Sequence, residues 1–310
     1  MIHDFSELKE ALTGKNPLSL AIVSANDPDL LDAALESARA GWTSLILIGQ
    51  RSGFGEKNFQ GCRRRFIEEP DPLKAALIGA ELLAGNEADL IMKGEIPTAD
   101  FLKPLLPKGE KINGRDYFFS HVAFFSLPGR ERLTALSDAA VNIGPDLPAK
   151  EEILKNALKA VTALGYNPPK VAVLSAIEKV NPKIPSSVEA AELREFGEKL
   201  GGMFISGPLA LDNALCGEAA AHKGLENDPV AGKADLLIVP ELVSGNILYK
   251  SFSLIAGFPT AGVVIGAEKP IIVTSRADRP GTKVNSIALA CFLRHKGIAA
   301  PSLKGMEEGK

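Results

Sequence analysis

The chain has 310 residues, 45% of them hydrophobic, and a formal net charge of −3. That length supports a large core in one domain or two, and the near balance of charge gives no electrostatic basis for holding nucleic acid or an anionic membrane surface. Cys62, Cys216 and Cys291 are odd in number and lack metal-ligand spacing, no apolar run reaches the roughly 18 residues of a membrane span, and Met1–Phe5 shows no basic-then-apolar leader. A reduced, cytoplasmic protein is expected.

In chain order, the apolar run 18–25 reads as a strand, and Asn26-Asp27-Pro28 supplies the cap of a helix that Gly41 stops. A strand over 44–49 follows, then a helix over 71–86, a strand over 88–94, and a helix from Thr98, which is a candidate cap. Residues 121–127 and 132–141 read as paired strands across the Pro128-Gly129 turn. Helices over 150–165, 188–202 and 245–257 alternate with strands over 170–176, 203–211 and 234–242. Two strands lie within 260–275, and a last apolar helix begins near Val284.

Strands that are apolar throughout and separated by helices predict an α/β protein with mostly parallel sheets covered by helices on both faces. The polar, glycine-containing stretch 106–117 and the segment 256–262 are expected to be crossings. They give a discontinuous first domain (1–113 plus 262–310), a second domain (114–261) and a cleft between them. The charged tail 304–310 is expected to fray.

Ligands of such sheets gather at the carboxyl ends of strands, which focuses attention on four groups. Thr274-Ser275-Arg276 ends a strand with two hydroxyls and a guanidinium, and arginine's planar fork matches phosphate. Thr282, Lys283 and Asn285 would bring free helix amides to the same anion. Lys93-Gly94-Glu95 ends another strand, with Thr98 and Lys103 beyond it. Asp138 and Asn142 are polar in an apolar stretch. Gly207, Asp212 and Asn246 follow two further strands, and Asp212 and Asn246 also read as helix caps.

Other chemistries lack their patterns. No two of the four histidines are spaced as zinc ligands, and no metal site is expected. Ser120-His121 are adjacent and so point to opposite faces of an extended segment, and there is no nucleophile elbow. The glycines of 49–61 do not have dinucleotide-binding spacing. The basic run 62–66 reads as solvated.

Taken together, the segments 92–106, 137–147, 180–193, 207–215, 231–251 and 274–290 (MKGEIPTADFLKPLL through TSRADRPGTKVNSIALA) resemble, in this order, the phosphate acetyl/butyryltransferase family, with a closer likeness to its butyryl branch. The resemblance implies a two-domain fold similar to that of isocitrate and isopropylmalate dehydrogenases, a homodimer, and the exchange of an acyl group between coenzyme A and inorganic phosphate. Coenzyme A is then a substrate, and no tightly bound cofactor is expected.

The resemblance places Ser275 and Arg276 in the catalytic site with phosphate on the arginine, and puts Thr98 and Lys103 across the cleft. Lys93, Gly94, Asn142, Gly207 and Asn246 are the remaining candidate substrate contacts. The acetyl branch has an aspartate six residues after the arginine as proton acceptor. Thr282 occupies that place here, so Asp278 is nominated instead. Rival readings are an acyltransferase that uses acyl carrier protein, a nicotinamide- and metal-dependent hydroxy-acid dehydrogenase of the same fold, and a non-catalytic sensor. The first needs a basic docking surface and the second clustered cleft aspartates. Neither feature is evident.

Overall fold

The computed structural model describes residues 1–51, 59–106 and 118–298. The crossing expected over 106–117 lies outside the described residues from residue 107 onward, as does the tail 304–310. The chain divides into two compact units, one formed by Met1–Leu8 with Phe119–Gly262, the other by Lys9–Phe118 with Val263–Lys310. The first eight residues thus group with the middle of the sequence. The Ile2 amide donates to Leu164 O at 2.8 Å, and the buried Tyr166 hydroxyl donates to Ile2 O at 2.9 Å.

In the unit that begins at Lys9, five strands form a parallel sheet: β1 (Leu18–Val23), β2 (Thr43–Gly49), β3 (Arg64–Glu68), β4 (Leu90–Lys93) and β11 (Ile271–Ile272). Their order is β3-β2-β1-β4-β11. The strand β10 (Thr260–Ile265) straddles the two units, and its second half pairs antiparallel with β11 through Val264 and Ile271. β1, β2, β4 and β11 are apolar without alternation because helices cover both faces. β3 was not expected. It is an edge strand in which Arg64 and Arg65 of the basic run face solvent, a charge pattern that discourages edge pairing.

Four helices accompany this sheet: α2 (Pro28–Arg39), α3 (Pro72–Ala84), α4 (Thr98–Leu102) and α10 (Pro280–His295). Asp27 caps α2, and Pro28 occupies its first turn. α10 is buried continuously from Thr282 to Leu293 and packs on α2. A helix covered all round needs apolar or small residues on every face, which Val284–Leu293 largely supplies. The two polar side chains at its start, Thr282 and Lys283, are therefore inside the protein.

The other unit orders its strands β5 (Ser120–Phe125), β6 (Thr134–Ser137), β9 (Leu236–Ile238), β7 (Lys170–Leu174) and β8 (Phe204–Leu209). β5 and β6 form the expected antiparallel pair, and the remaining pairs are parallel. α5 (Leu147–Ala163), α6 (Pro185–Leu200) and α9 (Leu242–Lys250) are the long helices, with a π-helical turn over Ser251–Ile255. The short helices α1 (Phe5–Glu10), α7 (Leu211–Leu215) and α8 (Gly217–His222) have too few residues to show a period and were not anticipated. Phe125, Leu136, Leu174, Leu237 and Tyr249 belong to one core cluster. No helix of the described residues is long and apolar enough to cross a membrane.

Candidate active site

The order β3-β2-β1-β4 means that the chain builds outward from β1 and then returns to its other side. This reversal makes the carboxyl ends of β1 and β4 the topological switch point, where α/β sheets bind ligands. β11 lies beside β4 and parallel to it, so its carboxyl end joins theirs. Three loops meet there: Ser24–Asp27, Lys93–Pro97 and Val273–Arg279.

Gly94 is fixed by space. Its amide donates to Val23 O at 2.8 Å, and a Cβ on it would stand 2.3 Å from Ser24 O and 2.4 Å from Val23 O. Only glycine allows the β4 loop to lie this close to the end of β1. Glu95 N then donates to Ser24 O at 2.9 Å. Lys93 is buried, and its ammonium donates to Gly94 O at 3.2 Å and Ile96 O at 3.1 Å. Burial above all, and then the Arg276 charge, pull Lys93 below the ordinary lysine range, against the opposing pull of Asp27 and Asp278. Its donors are engaged with the loop, so it shapes the site from beneath.

Ser275 and Arg276 are exposed beyond β11. The Arg276 side chain keeps 67% of its surface in solvent, with Glu95 Oε1 at 3.5 Å. An exposed pair at that distance contributes about 0–1 kcal/mol, which a better anion can displace. Asp278 is buried and takes the Ser275 N–H on Oδ2 at 2.7 Å, while Asp278 N donates back to Ser275 O at 3.1 Å. The carboxylate nominated as a proton acceptor thus also holds the backbone of the residue next to Arg276.

The expectations about helix starts change. Pro97, not Thr98, precedes α4, and Thr98 is the first helical residue with its hydroxyl not engaged as a cap. Lys103 is exposed at the start of a short 3-10 turn, Lys103–Leu105. The free amides expected at residues 282 and 283 are also absent, because both donate to Arg279 O, at 2.9 and 3.4 Å. Pro280 has no N–H, and α10 offers fewer anion donors than its sequence suggests.

The remaining candidates lie in the other unit. After β6, the Asp138 carboxylate accepts from Ala140 N at 2.9 Å, Val141 N at 3.0 Å, Asn142 N at 3.3 Å and Asn142 Nδ2 at 2.6 Å. Asn142 Nδ2 also donates to Phe119 O at 2.9 Å. These bonds make Asn142 a brace of the loop. Asn246 is not a cap: Glu241 caps α9 through Val243 N and Ser244 N, and Asn246 lies within the helix with Nδ2 3.2 Å from Ala139 O. Neighbouring Gly245 has no room for a side chain, since a Cβ would meet Asp138 O at 2.4 Å. Asp212 lies in the first turn of α7, which Ala210 precedes. Gly207 is buried in β8, its carbonyl accepting from Arg194 Nη1 at 3.3 Å.

Sequence reasoning did not foresee that Lys283 is buried with its ammonium 3.6 Å from Asp27 Oδ2. Asp27 was read only as a cap, and Lys283 only as a donor of its amide. The one available signal was a lysine opening an otherwise apolar helix.

A doubly wound sheet with an exposed guanidinium and hydroxyl at its switch point defines an α/β protein suited to holding a small anion. Comparison with known proteins carries this further. Residues 68–291 match the family model described as "Phosphate acetyl/butaryl transferase", and the chain belongs to that family. It is 36% identical over 305 residues to phosphate butyryltransferase of Clostridium acetobutylicum (94% of this chain, 99% of the relative). It is 35% identical over 302 residues to phosphate acetyltransferase of Rhizobium meliloti (96% and 95%). Among solved structures, a branched-chain phosphotransacylase from Enterococcus faecalis V583 superposes with TM-score 0.79 at 30% identity, covering 90% of this chain and 99% of that one.

Proposed function

We propose that the protein transfers a short acyl group between coenzyme A and inorganic phosphate: acyl-CoA plus phosphate gives acyl phosphate plus CoA, in a ternary complex. The observation that carries the reading is Arg276, held at the switch point by a rigid turn, with its guanidinium open to solvent and only a weak carboxylate contact to displace. Family membership supplies the acyl and CoA chemistry.

In this reading Arg276 grips phosphate in a two-pronged contact, with Ser275 and Thr98 hydroxyls and Lys103 as further donors. A phosphate oxygen attacks the thioester carbon, the carbon–sulfur bond breaks, and the sulfur leaves as thiolate. A thiol pKa near 8.5 makes that departure undemanding, so one buried carboxylate suffices to take the proton from CoA in the reverse direction. Asp278 is assigned that role. Lys93 and Gly94 shape the phosphate side, and Asn142, Gly207 and Asn246 are assigned to substrate contacts in their own unit. Alignment of two bound reactants supplies much of the acceleration. The chemistry requires no metal and no covalent enzyme intermediate.

Coenzyme A is here a substrate and not a resident cofactor. The three thiols are free, consistent with a reducing cytoplasm. A homodimer is supported by Ile143, Val243, Ile247 and Ile255, which are 61–83% exposed in one unit and include an i, i+4 pair on α9. Near-equal identity to butyryl and acetyl relatives leaves chain length to measurement. Thiol release from acetyl-, butyryl- and longer acyl-CoAs, with and without phosphate, tests the proposal. Phosphate-dependent release is expected, and its absence for every acyl chain would refute the reading.

A further inference from the structure

Lys283 is 1% exposed, a lysine almost entirely inside the protein. A buried ammonium is tolerated only where oxygen atoms meet it. Here they come from two different loops. Nζ donates to Asp278 O at 3.1 Å and lies 3.6 Å from Asp27 Oδ2. The first belongs to the turn after β11, and the second to the loop after β1. Those strands flank β4 on either side.

Each partner is itself committed. Asp27 uses its other oxygen to cap α2, with Oδ1 accepting from Asp29 N at 3.0 Å. Asp278 uses its carboxylate to accept the Ser275 N–H at 2.7 Å. A continuous relay therefore runs from the start of α2 through Asp27, Lys283 and Asp278 to the backbone of Ser275, the residue before Arg276. The exposed end of the relay depends on the fixing of its buried end, since the Arg276–Glu95 contact, at 3.5 Å and open to solvent, is a weak pair.

We infer that Lys283 is a positioning residue for phosphate: its ammonium ties the turn carrying Ser275 and Arg276 to the β1 loop, and so sets where the guanidinium stands. The inference rests on the phosphate-transfer reading above. It assigns Lys283 no contact with either substrate. Loss of the charge frees the turn, weakens phosphate capture and leaves acyl-CoA capture in place, a split that general destabilisation does not produce.

The test is phosphate binding by calorimetry and steady-state thiol release for the wild-type protein, Lys283→Met and Asp27→Asn. Methionine keeps the length of the buried stem without the charge. Asparagine keeps an oxygen for the α2 cap while removing the anion facing Lys283. In a folded Lys283→Met protein the phosphate Kd and KM rise about tenfold or more, while the acyl-CoA KM stays within about twofold. An unchanged phosphate Kd, or equal rises for both substrates, overturns the inference. Should Lys283→Met fail to fold, Asp27→Asn decides: a selective rise in phosphate Kd supports the relay, and an unchanged Kd refutes it. Wild-type protein that binds phosphate yet releases no thiol refutes the transfer reading alone, and the binding comparison still judges the role of Lys283. Wild-type protein that binds no phosphate overturns both.

Discussion

The Asp278 carboxylate and the Ser275 amide close the turn that follows β11, with Oδ2 accepting the Ser275 N–H at 2.7 Å. This bond is buried at the carboxylate and exposed at the serine, so it transmits the rigidity of the interior to the residues facing solvent. A proton acceptor and a turn brace are thereby combined in one side chain, and the two roles give different signatures on substitution.

Asp278→Asn keeps an oxygen that can accept from Ser275 N but removes the negative charge and the capacity to take a proton. Turnover in the direction that consumes CoA should fall at least tenfold at pH 7, and the fall should shrink as the pH approaches the thiol's own pKa near 8.5, where thiolate forms without help. Rates of CoA acylation by acyl phosphate from pH 6 to 9 check this. Full activity across that range would place the proton acceptor elsewhere.

Arg276→Ala removes an exposed side chain whose ion pair with Glu95 is 3.5 Å long. Stability should change by less than about 0.5 kcal/mol. Charge-assisted bonds to phosphate are worth about 1.5–3 kcal/mol, so kcat/KM for phosphate should drop about 10- to 100-fold. Urea denaturation alongside phosphate titration of thiol release separates the two effects.

Gly94→Ala places a methyl group 2.3 and 2.4 Å from two backbone oxygens. Neither can withdraw without moving the end of β1, where Ser24 O also receives the Glu95 amide. Overpacking of this kind costs about 1–3 kcal/mol, and the rigidity of the neighbours puts this case at the upper end. A lowered urea midpoint, with activity reduced even well below that midpoint, is the expected result.

Lys93 gives stability a pH dependence of definite sign. Its folded pKa lies below the ordinary lysine value of 10.5 because burial disfavours the ammonium. Between the folded value and 10.5 the unfolded chain binds more protons than the folded one, so the contribution of Lys93 to stability rises with pH in that window. The wild-type minus Lys93→Met difference in stability, measured by urea denaturation, should therefore rise between pH 8 and 10.5. A difference that instead falls with rising pH would contradict the assignment.

The architecture was legible to the extent that a single periodic signal fixed each element. Apolar runs such as 18–25 and 170–176 had no alternative to being covered strands, and Asp27 with Pro28 marked the start of α2 by local chemistry alone. Elements too short for a period, or carrying the wrong polarity, escaped: α7 and α8 have five and six residues, and β3 is an edge strand lined with arginine. Caps were misassigned where two candidates stood close together, as with Thr98 beside Pro97 and Asn246 near Glu241, because the hydrogen bond that chooses between them depends on where the helix axis begins.

The sequence by itself determined that this is an α/β chain with a guanidinium and hydroxyl at a strand end, since hydrophobic pattern and residue chemistry are local properties. Only the tertiary structure decided what surrounds them. That β1 lies beside β4 and β4 beside β11 is set by sheet order, and from it follow the meeting of three loops and the burial of Lys283 between Asp27 and Asp278, residues 251 positions apart in the chain. A lysine's charge is written in the sequence. Whether that charge is hydrated at the surface or binds two loops together inside depends on the dielectric and the partners that folding brings to it.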